Sequence, residues 1–269
     1  MKKLLLLCSV LSLSVLLPGD AIAQLKIGGK KLNTAKLLDA GKDVAKAVTL
    51  SDSDIAQLSR EAVAWMDANN PVADETTEYG ARLKRLTEGI TEVDGLPLNF
   101  KVYKVADVNA FACGDGSIRV FSALMDLMDD DELMAIIGHE IGHVVHADVK
   151  HAMKNAYLSS AARNAAGAAE GSTLAKLSDS QLGEVVTAFT GAQFSQKQEY
   201  AADEYGFEFS VKNGFSPYGM GNSLNKLVEL SKGAKSSTVQ KMFSSHPDSE
   251  KRAARMKEKA DAYTAAQQQ

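Results

Sequence analysis

The 269-residue chain has only two cysteines, no excess of basic side chains and no apolar run long enough to cross a bilayer. Each shortage removes a class of protein. A formal charge of −4 leaves no surplus of cations to neutralise phosphates, so a nucleic-acid binder is not expected. The most apolar run, residues 4–17, is shorter than the roughly 20 residues a membrane helix needs. It follows Lys2 and Lys3 and precedes Pro18-Gly19 and the small-residue site Ala21-Ile22-Ala23. That is the pattern of an export signal over residues 1–23, cleaved before Gln24, and it leaves no transmembrane segment in the mature chain. Cys8 lies inside this run with seven residues before it, too few for a lipoprotein signal, so lipid anchoring is not expected. Cleavage leaves Cys113 as the one thiol, which excludes an intramolecular disulfide.

Internal repeats and an obvious domain linker are also missing, so residues 51–266 read as one α+β domain, mostly helical. Residues 24–50, rich in Lys, Gly and Ala, read as a flexible lead-in. Ser51-Asp52-Ser53-Asp54 suits a helix start, and Ile55, Leu58, Ala62 and Trp65 recur at near-helical spacing up to Asn69-Asn70-Pro71. The spacing of Tyr79, Leu83, Leu86 and Ile90 predicts a second helix over about 75–92. Alternation in LPLNFKVYKV, followed by NAFAC and GSIRVFS around Gly114-Asp115-Gly116, predicts a small three-stranded sheet. From Ala123 onward helices dominate: one to Met128, a long one after Asp129-Asp130-Asp131, one over about 180–212, one from Ser216-Pro217, and a charged final helix. The small-residue stretch at 161–175 reads as a hairpin or lid.

The stretch IIGHEIGHVVHAD carries chemistry. His139, Glu140 and His143 form H-E-x-x-H, and on a helix the two histidines lie on one face with Cβ atoms about 5–6 Å apart. Both rings can then bind one zinc ion while Glu140 serves as base. With five histidines and 34 acids in the chain, chance supplies such a pattern on the order of 0.01 times. His146 shares the face, but about 10.5 Å of helix rise separates it from His139, so it reads as a surface or supporting group, like His151. A hydrolytic zinc site needs a third protein ligand. In SQKQEYAADEYGF, Glu199 and Asp203 are four apart and face one way, which suits a ligand and an acceptor for a histidine N–H. An ordinary acidic helix face fits the spacing equally well, and Glu208 and Glu184 compete.

NAFACGDGSIRVFSALMDLMDDDELMAIIGHEIGHVVHAD, FSQKQEYAADEYGFE and MFSSHPDSEKRAARM together resemble metallopeptidase family forty-eight, the gluzincins that include the HtpX and CAAX prenyl proteases, and most closely its periplasmic LoiP-like branch. The resemblance spans about residues 51–257. It implies a zincin-like domain with an active-site helix, one zinc per chain, and a periplasmic endopeptidase acting on unfolded or misassembled envelope proteins. It further implies His139, His143 and Glu199 as zinc ligands, Glu140 as general base and acid, Asp203 as the group orienting a ligand, and His246 as an oxyanion donor, with Arg252 anchoring its loop. Asn109, Ala110 and Phe111 match the edge strand that takes a polypeptide substrate as an added β-strand, and an outer-membrane or envelope protein is the partner class implied. Gly142 is expected to clear room for that strand. Asp148 stands where relatives often carry a histidine, and its role is open. Cys113, directly after the strand, is a candidate latency ligand, or a small buried hydrophobe. The reading from another class is a metal-containing, chaperone-like binding module of the envelope. Glu140 discriminates between them, because a binding site needs ligands but no base.

Overall fold

A computed structural model describes residues 26–27, 30–31, 50–164, 177–233, 245–247 and 249–268. The expected leader 1–23, most of the lead-in and residues 165–176 of the small-residue stretch lie outside the described residues. Within the lead-in, β1 (Lys26–Ile27) pairs with β2 (Lys30–Lys31).

Helix α1 (Asp52–Asn69) starts at a reciprocal cap in which the Ser51 hydroxyl accepts the Asp54 N–H and the Asp54 carboxylate accepts the Ser51 N–H at 2.8 Å. Helix α2 covers only Glu78–Leu86, shorter than the 75–92 expected. The chain turns at Gly89 (φ 81°), and Asp94 and Gly95, both at positive φ, then join β3 (Glu92–Val93) to β4 (Leu96–Pro97). An Asp-Gly turn of this kind closes a hairpin and cannot continue a helix.

The predicted three-stranded sheet is present, in the order β5 (Asn99–Tyr103), β7 (Ser117–Phe121), β6 (Ala110–Ala112). Strand β7 runs parallel to β5 and antiparallel to β6, with Phe111 opposite Arg119. Tyr103, Phe111, Arg119 and Phe121 therefore share one face and Val102, Ala110, Ala112, Ile118 and Val120 the other. On the first face Asp67 of α1 accepts hydrogen bonds from Arg119 Nε (2.9 Å), Lys101 Nζ (2.7 Å) and the Tyr103 hydroxyl (2.6 Å). This network explains why a strand that alternates in sequence has both Val102 and Tyr103 buried.

After α3 (Ser122–Leu127), α4 (Asp130–Val145) begins at Asp129, whose carboxylate accepts the Glu132 N–H while Glu132 accepts that of Asp129. Three acids in its first turn complement the helix dipole. Every residue from Glu132 to Val144 is buried, as a helix at the centre of a core requires. α5 (Asp148–Asn164) follows after a two-residue turn. The single helix expected over 180–212 is two, α6 (Asp179–Thr190) and α7 (Gln196–Lys212). Gly191 caps the first, and Ser195 with Gln198 forms a new capping box for the second. α8 (Gly219–Gly233) and α9 (Ser249–Ala266) complete the described chain.

The α4–α7 crossing positions the site. A Cβ on Gly206 would lie 2.8 Å from both the Ala135 carbonyl oxygen and the His139 nitrogen, and one on Gly138 would lie 3.0 Å from the Gly206 Cα. Without side chains at these points the two backbones touch, and the first turn of α7 lies beside the H-E-x-x-H turns. Gly142 belongs to the same contact: it faces Ala202 and Tyr205 of α7, not the neighbouring strand as expected.

Candidate active site

His139 and His143 project from adjacent turns of α4, and Glu199 from the first turn of α7. The His139 and His143 Nε2 atoms lie 3.1 Å apart, and Glu199 carboxylate oxygens lie 3.7 and 3.5 Å from them. His246 joins them, its Nδ1 3.0 Å from Glu199 Oε1 and 3.4 Å from His139 Nε2. One donor atom from each of the four falls within 4.8 Å of all the others, the arrangement one metal ion can bridge.

The tautomers can be assigned from the partners. Asp203 Oδ1 lies 3.0 Å from His139 Nδ1, and the Arg252 guanidinium donates to both Asp203 oxygens at 2.8 and 2.6 Å. Burial raises the Asp203 pKa, but the Arg252 and His139 hydrogen bonds outweigh it and hold the value at about 2. An ionised carboxylate only accepts, so His139 Nδ1 carries the proton and its Nε2 is bare. Asp148 Oδ2, 2.9 Å from His143 Nδ1, imposes the same tautomer there. Two bare imidazole nitrogens facing each other at this distance repel unless a proton or a cation lies between them.

The surrounding charge points the same way. Glu140, Asp148, Glu199 and Asp203 are all buried, and the Arg252 guanidinium pairs with two of them, Glu199 and Asp203. Burial alone would depress the His143 pKa, yet its hydrogen bonds to Asp148 and Glu199 lift it to about 9. His139 shifts downward, chiefly through burial. Three or four nitrogen and carboxylate donors on a buried, anionic shelf suit a divalent cation, and the donor set fits the group that the motif implies.

Glu140, beside the cluster, has a carboxylate oxygen, Oε1, with no hydrogen-bond partner among the described residues; His246 Nε2 is 3.8 Å away. Arg252 of α9 also contacts Glu199, and its Nη1 reaches the His246 and Pro247 carbonyls at 3.5 Å, so it ties the His246 segment to α7. Asn109, Ala110 and Phe111 lie in and beside the edge strand β6, all buried. The remaining candidates stay outside the cluster. His146 and His151 are exposed, Glu208 pairs with Lys259, and Glu184 accepts from Ser160. Of the two readings of Cys113, the surroundings match the small buried hydrophobe. That residue is fully buried in the hydrophobic core, burial pushes its thiol pKa well up, and it is not one of the converging donors.

Sequence reasoning missed three supporting residues. Asp148 orients His143, and it reaches back because Ala147 adopts φ 61°, a left-handed conformation that costs an alanine about 1–2 kcal/mol. Gln198 donates to Asp148 Oδ1 at 2.6 Å while its carbonyl caps Ser195, linking the start of α7 to the second histidine. Phe194 stacks on the His143 ring at 4.1 Å between centroids, and its N–H donates to the Ser245 carbonyl.

A buried H-E-x-x-H helix, with a glutamate from a second helix completing the donor set, defines a metallopeptidase of the gluzincin type. Residues 79–260 match Peptidase family M48, and the chain belongs to that family. It is 38% identical over 253 residues to the metalloprotease LoiP of Escherichia coli K12, covering 94% of this chain and 98% of that one. With the metalloprotease YcaL of the same organism it shares 37% over 229 residues, 85% of this chain and 88% of the relative. The beta-barrel assembly-enhancing protease of the same strain is 30% identical over 175 residues, 61% of this chain and 35% of that longer protein. Among the described residues no helix is long and apolar enough to cross a membrane.

Proposed function

We propose that the chain is a zinc-dependent endopeptidase of the bacterial periplasm that cuts unfolded or misassembled envelope proteins. The observation that carries this reading is the convergence of His139, His143 and Glu199 beside a Glu140 oxygen that has no hydrogen-bond partner among the described residues. When bound there, zinc supplies Lewis acidity, polarising a carbonyl and lowering the pKa of a water to about 7. Glu140 takes a proton from the attacking water and returns it to the leaving amine. Asp203 and Asp148 hold the two imidazoles in the tautomer that turns Nε2 inward. His139, His143 and Glu199 would hold the ion, and His246 lies against Glu199 with its Nδ1 3.0 Å from Oε1. From beside Glu140, with its Nε2 3.8 Å from Oε1 of that residue, His246 would donate its N–H to the oxyanion.

The substrate lies along β6. Asn109 O accepts the Phe121 N–H and Cys113 N–H donates to Ser117 O, so Asn109, Phe111 and Cys113 direct their amides to β7. The Ala110 and Ala112 amides then face the other edge, where an extended peptide can add as a further strand. The envelope setting rests on the leader-like residues 1–23 and on relatives that include a protease named for β-barrel assembly.

The test is digestion of casein by zinc-supplemented wild type and Glu140→Gln, with metal content measured in both. Cleavage by wild type alone, with equal metal, supports the peptidase. Metal binding without cleavage by either favours the chaperone-like module.

A further inference from the structure

A cavity of about 190 Å³ lies between the C-terminal ends of α1 and α6 and the sheet face that carries Tyr103, Phe111 and Phe121. No residue of α4 and none of the four converging donors lines it, so it is separate from the active site. A cavity of about 150 Å³ lined by apolar side chains holds benzene, so this one has room for a single substituted ring.

Its walls are aromatic. Tyr103, Phe111 and Phe121 hold one another with ring centroids 6.0 to 6.3 Å apart, and Trp65, Met66 and Val186 close the other side. Such rings favour a further aromatic ring, packed edge to face or offset, over an aliphatic chain. A cation fits less well, because the Arg119 guanidinium already lies 6.0 Å from the centroid of the Tyr103 ring.

One polar group is left over. Asn109 stands two residues before Phe111, so its side chain falls on the same face of the sheet, and it lines the cavity while only 7% exposed. Its Oδ1 is buried and has no hydrogen-bond partner among the described residues. An enclosed acceptor without a donor is costly, and the broad amide torsion lets it turn to a donor seated in the cavity. The Tyr103 and Thr190 hydroxyls, in contrast, are spent on Asp67 and on the Val186 carbonyl.

We propose that this cavity is a second binding site, for a neutral phenol-type ring whose hydroxyl donates to Asn109 Oδ1. Two sources carry that chemistry, a free phenolic compound and the tyrosine side chain of a polypeptide. The site does not depend on the zinc centre cutting peptides.

Trp65 is the only tryptophan, so its emission, excited at the red edge of the indole band, reports the cavity directly. The zinc-loaded chain is titrated with p-cresol, toluene and benzylammonium. p-Cresol is expected to bind about 2- to 10-fold more tightly than toluene, the gain from one net hydrogen bond, and benzylammonium more weakly than either. Asn109→Leu should erase the p-cresol advantage and keep toluene binding. Val186→Phe, which fills the cavity from α6, should abolish both, and it stands as the test if the first variant does not fold. Acetohydroxamate, a zinc ligand, should leave p-cresol affinity unchanged. The pentapeptides Gly-Gly-Tyr-Gly-Gly and Gly-Gly-Phe-Gly-Gly separate the sources: tighter binding of the first assigns a polypeptide, and p-cresol binding without peptide binding assigns a free phenol. No response of Trp65 to p-cresol, equal affinity for p-cresol and toluene, tightest binding by benzylammonium, or displacement by acetohydroxamate would overturn the proposal.

Discussion

Two charge networks, one on Asp67 and one on Glu199, are built on different terms. Around Asp67, one carboxylate meets Arg119, Lys101 and a tyrosine hydroxyl, and each donor has an acceptor. Around Glu199, two carboxylates share one guanidinium, two imidazole nitrogens face each other at 3.1 Å, and Glu140 Oε1 has no hydrogen-bond partner among the described residues. The first network closes on itself and needs nothing further. The second is short of positive charge at one point, and that deficit distinguishes a site from a structural ion pair.

Breaking each network should hurt a different property. Glu140→Gln keeps the side chain's shape and all the metal donors, so casein cleavage should fall about 10²- to 10⁴-fold while metal content and unfolding midpoint stay near wild type. A variant that lost its metal would show Glu140 to be part of the binding set. Asp67→Asn should do the reverse. Arg119 is 1% exposed and would be left without its charged partner, which costs about 3 kcal/mol, the low end for a broken buried pair because Asp67 is itself about a fifth exposed. Cleavage per folded molecule should not change.

The acid dependence sharpens the contrast. Burial raises the Asp67 pKa, but hydrogen bonds from Arg119, Lys101 and Tyr103 outweigh it and hold the carboxyl below its ordinary 3.8. A carboxyl depressed on folding contributes stability above the unfolded value and loses it as pH falls through the folded one. Urea titrations should therefore find a wild-type advantage over Asp67→Asn that is full at pH 7 and shrinks below about pH 4. A difference that persisted unchanged at pH 2 would mean that packing, not charge, carries the effect.

Much of this was legible in the chain, and for identifiable reasons. The facing of His139 and His143 on α4 follows from helical spacing, and the Gly-rich turn between β6 and β7 follows from local chemistry. The break between α6 and α7 was legible too, because Ser195-Gln196-Lys197-Gln198 has the form of a capping box, but helical periodicity on both sides masked it. Asp148 was not legible as a partner of His143: five residues along a straight helix point elsewhere, and only the left-handed Ala147 folds the carboxylate back. Phe194 and the partners of Gly142 depend on which helices meet, which no local pattern encodes.

Asp148 offers a smaller test on the site side. Asp148→Ala removes the acceptor of the His143 N–H and the partner of Gln198, and loss of such a supporting contact weakens metal binding about 10- to 100-fold. Competition with a chromophoric zinc chelator measures it. Unchanged affinity would mean that the Phe194 stack alone fixes the His143 ring.

The least disruptive change asks whether packing sets the donor geometry. In Gly206→Ala the new methyl would meet Met220 Cε at 2.5 Å, a flexible tip that can move, but also the Ala135 oxygen and His139 nitrogen at 2.8 Å, backbone that cannot move unless α7 shifts from α4. Overpacking of this kind costs about 1–3 kcal/mol, partly offset by alanine's better helix propensity of roughly 1 kcal/mol. A shift of α7 carries Glu199 away from His139 and His143, so zinc affinity should fall together with stability. Equilibrium unfolding and chelator competition on the same sample separate the two. If stability drops while affinity holds, the Arg252 contacts to Glu199 and Asp203, not the glycine crossing, hold the glutamate against the histidines.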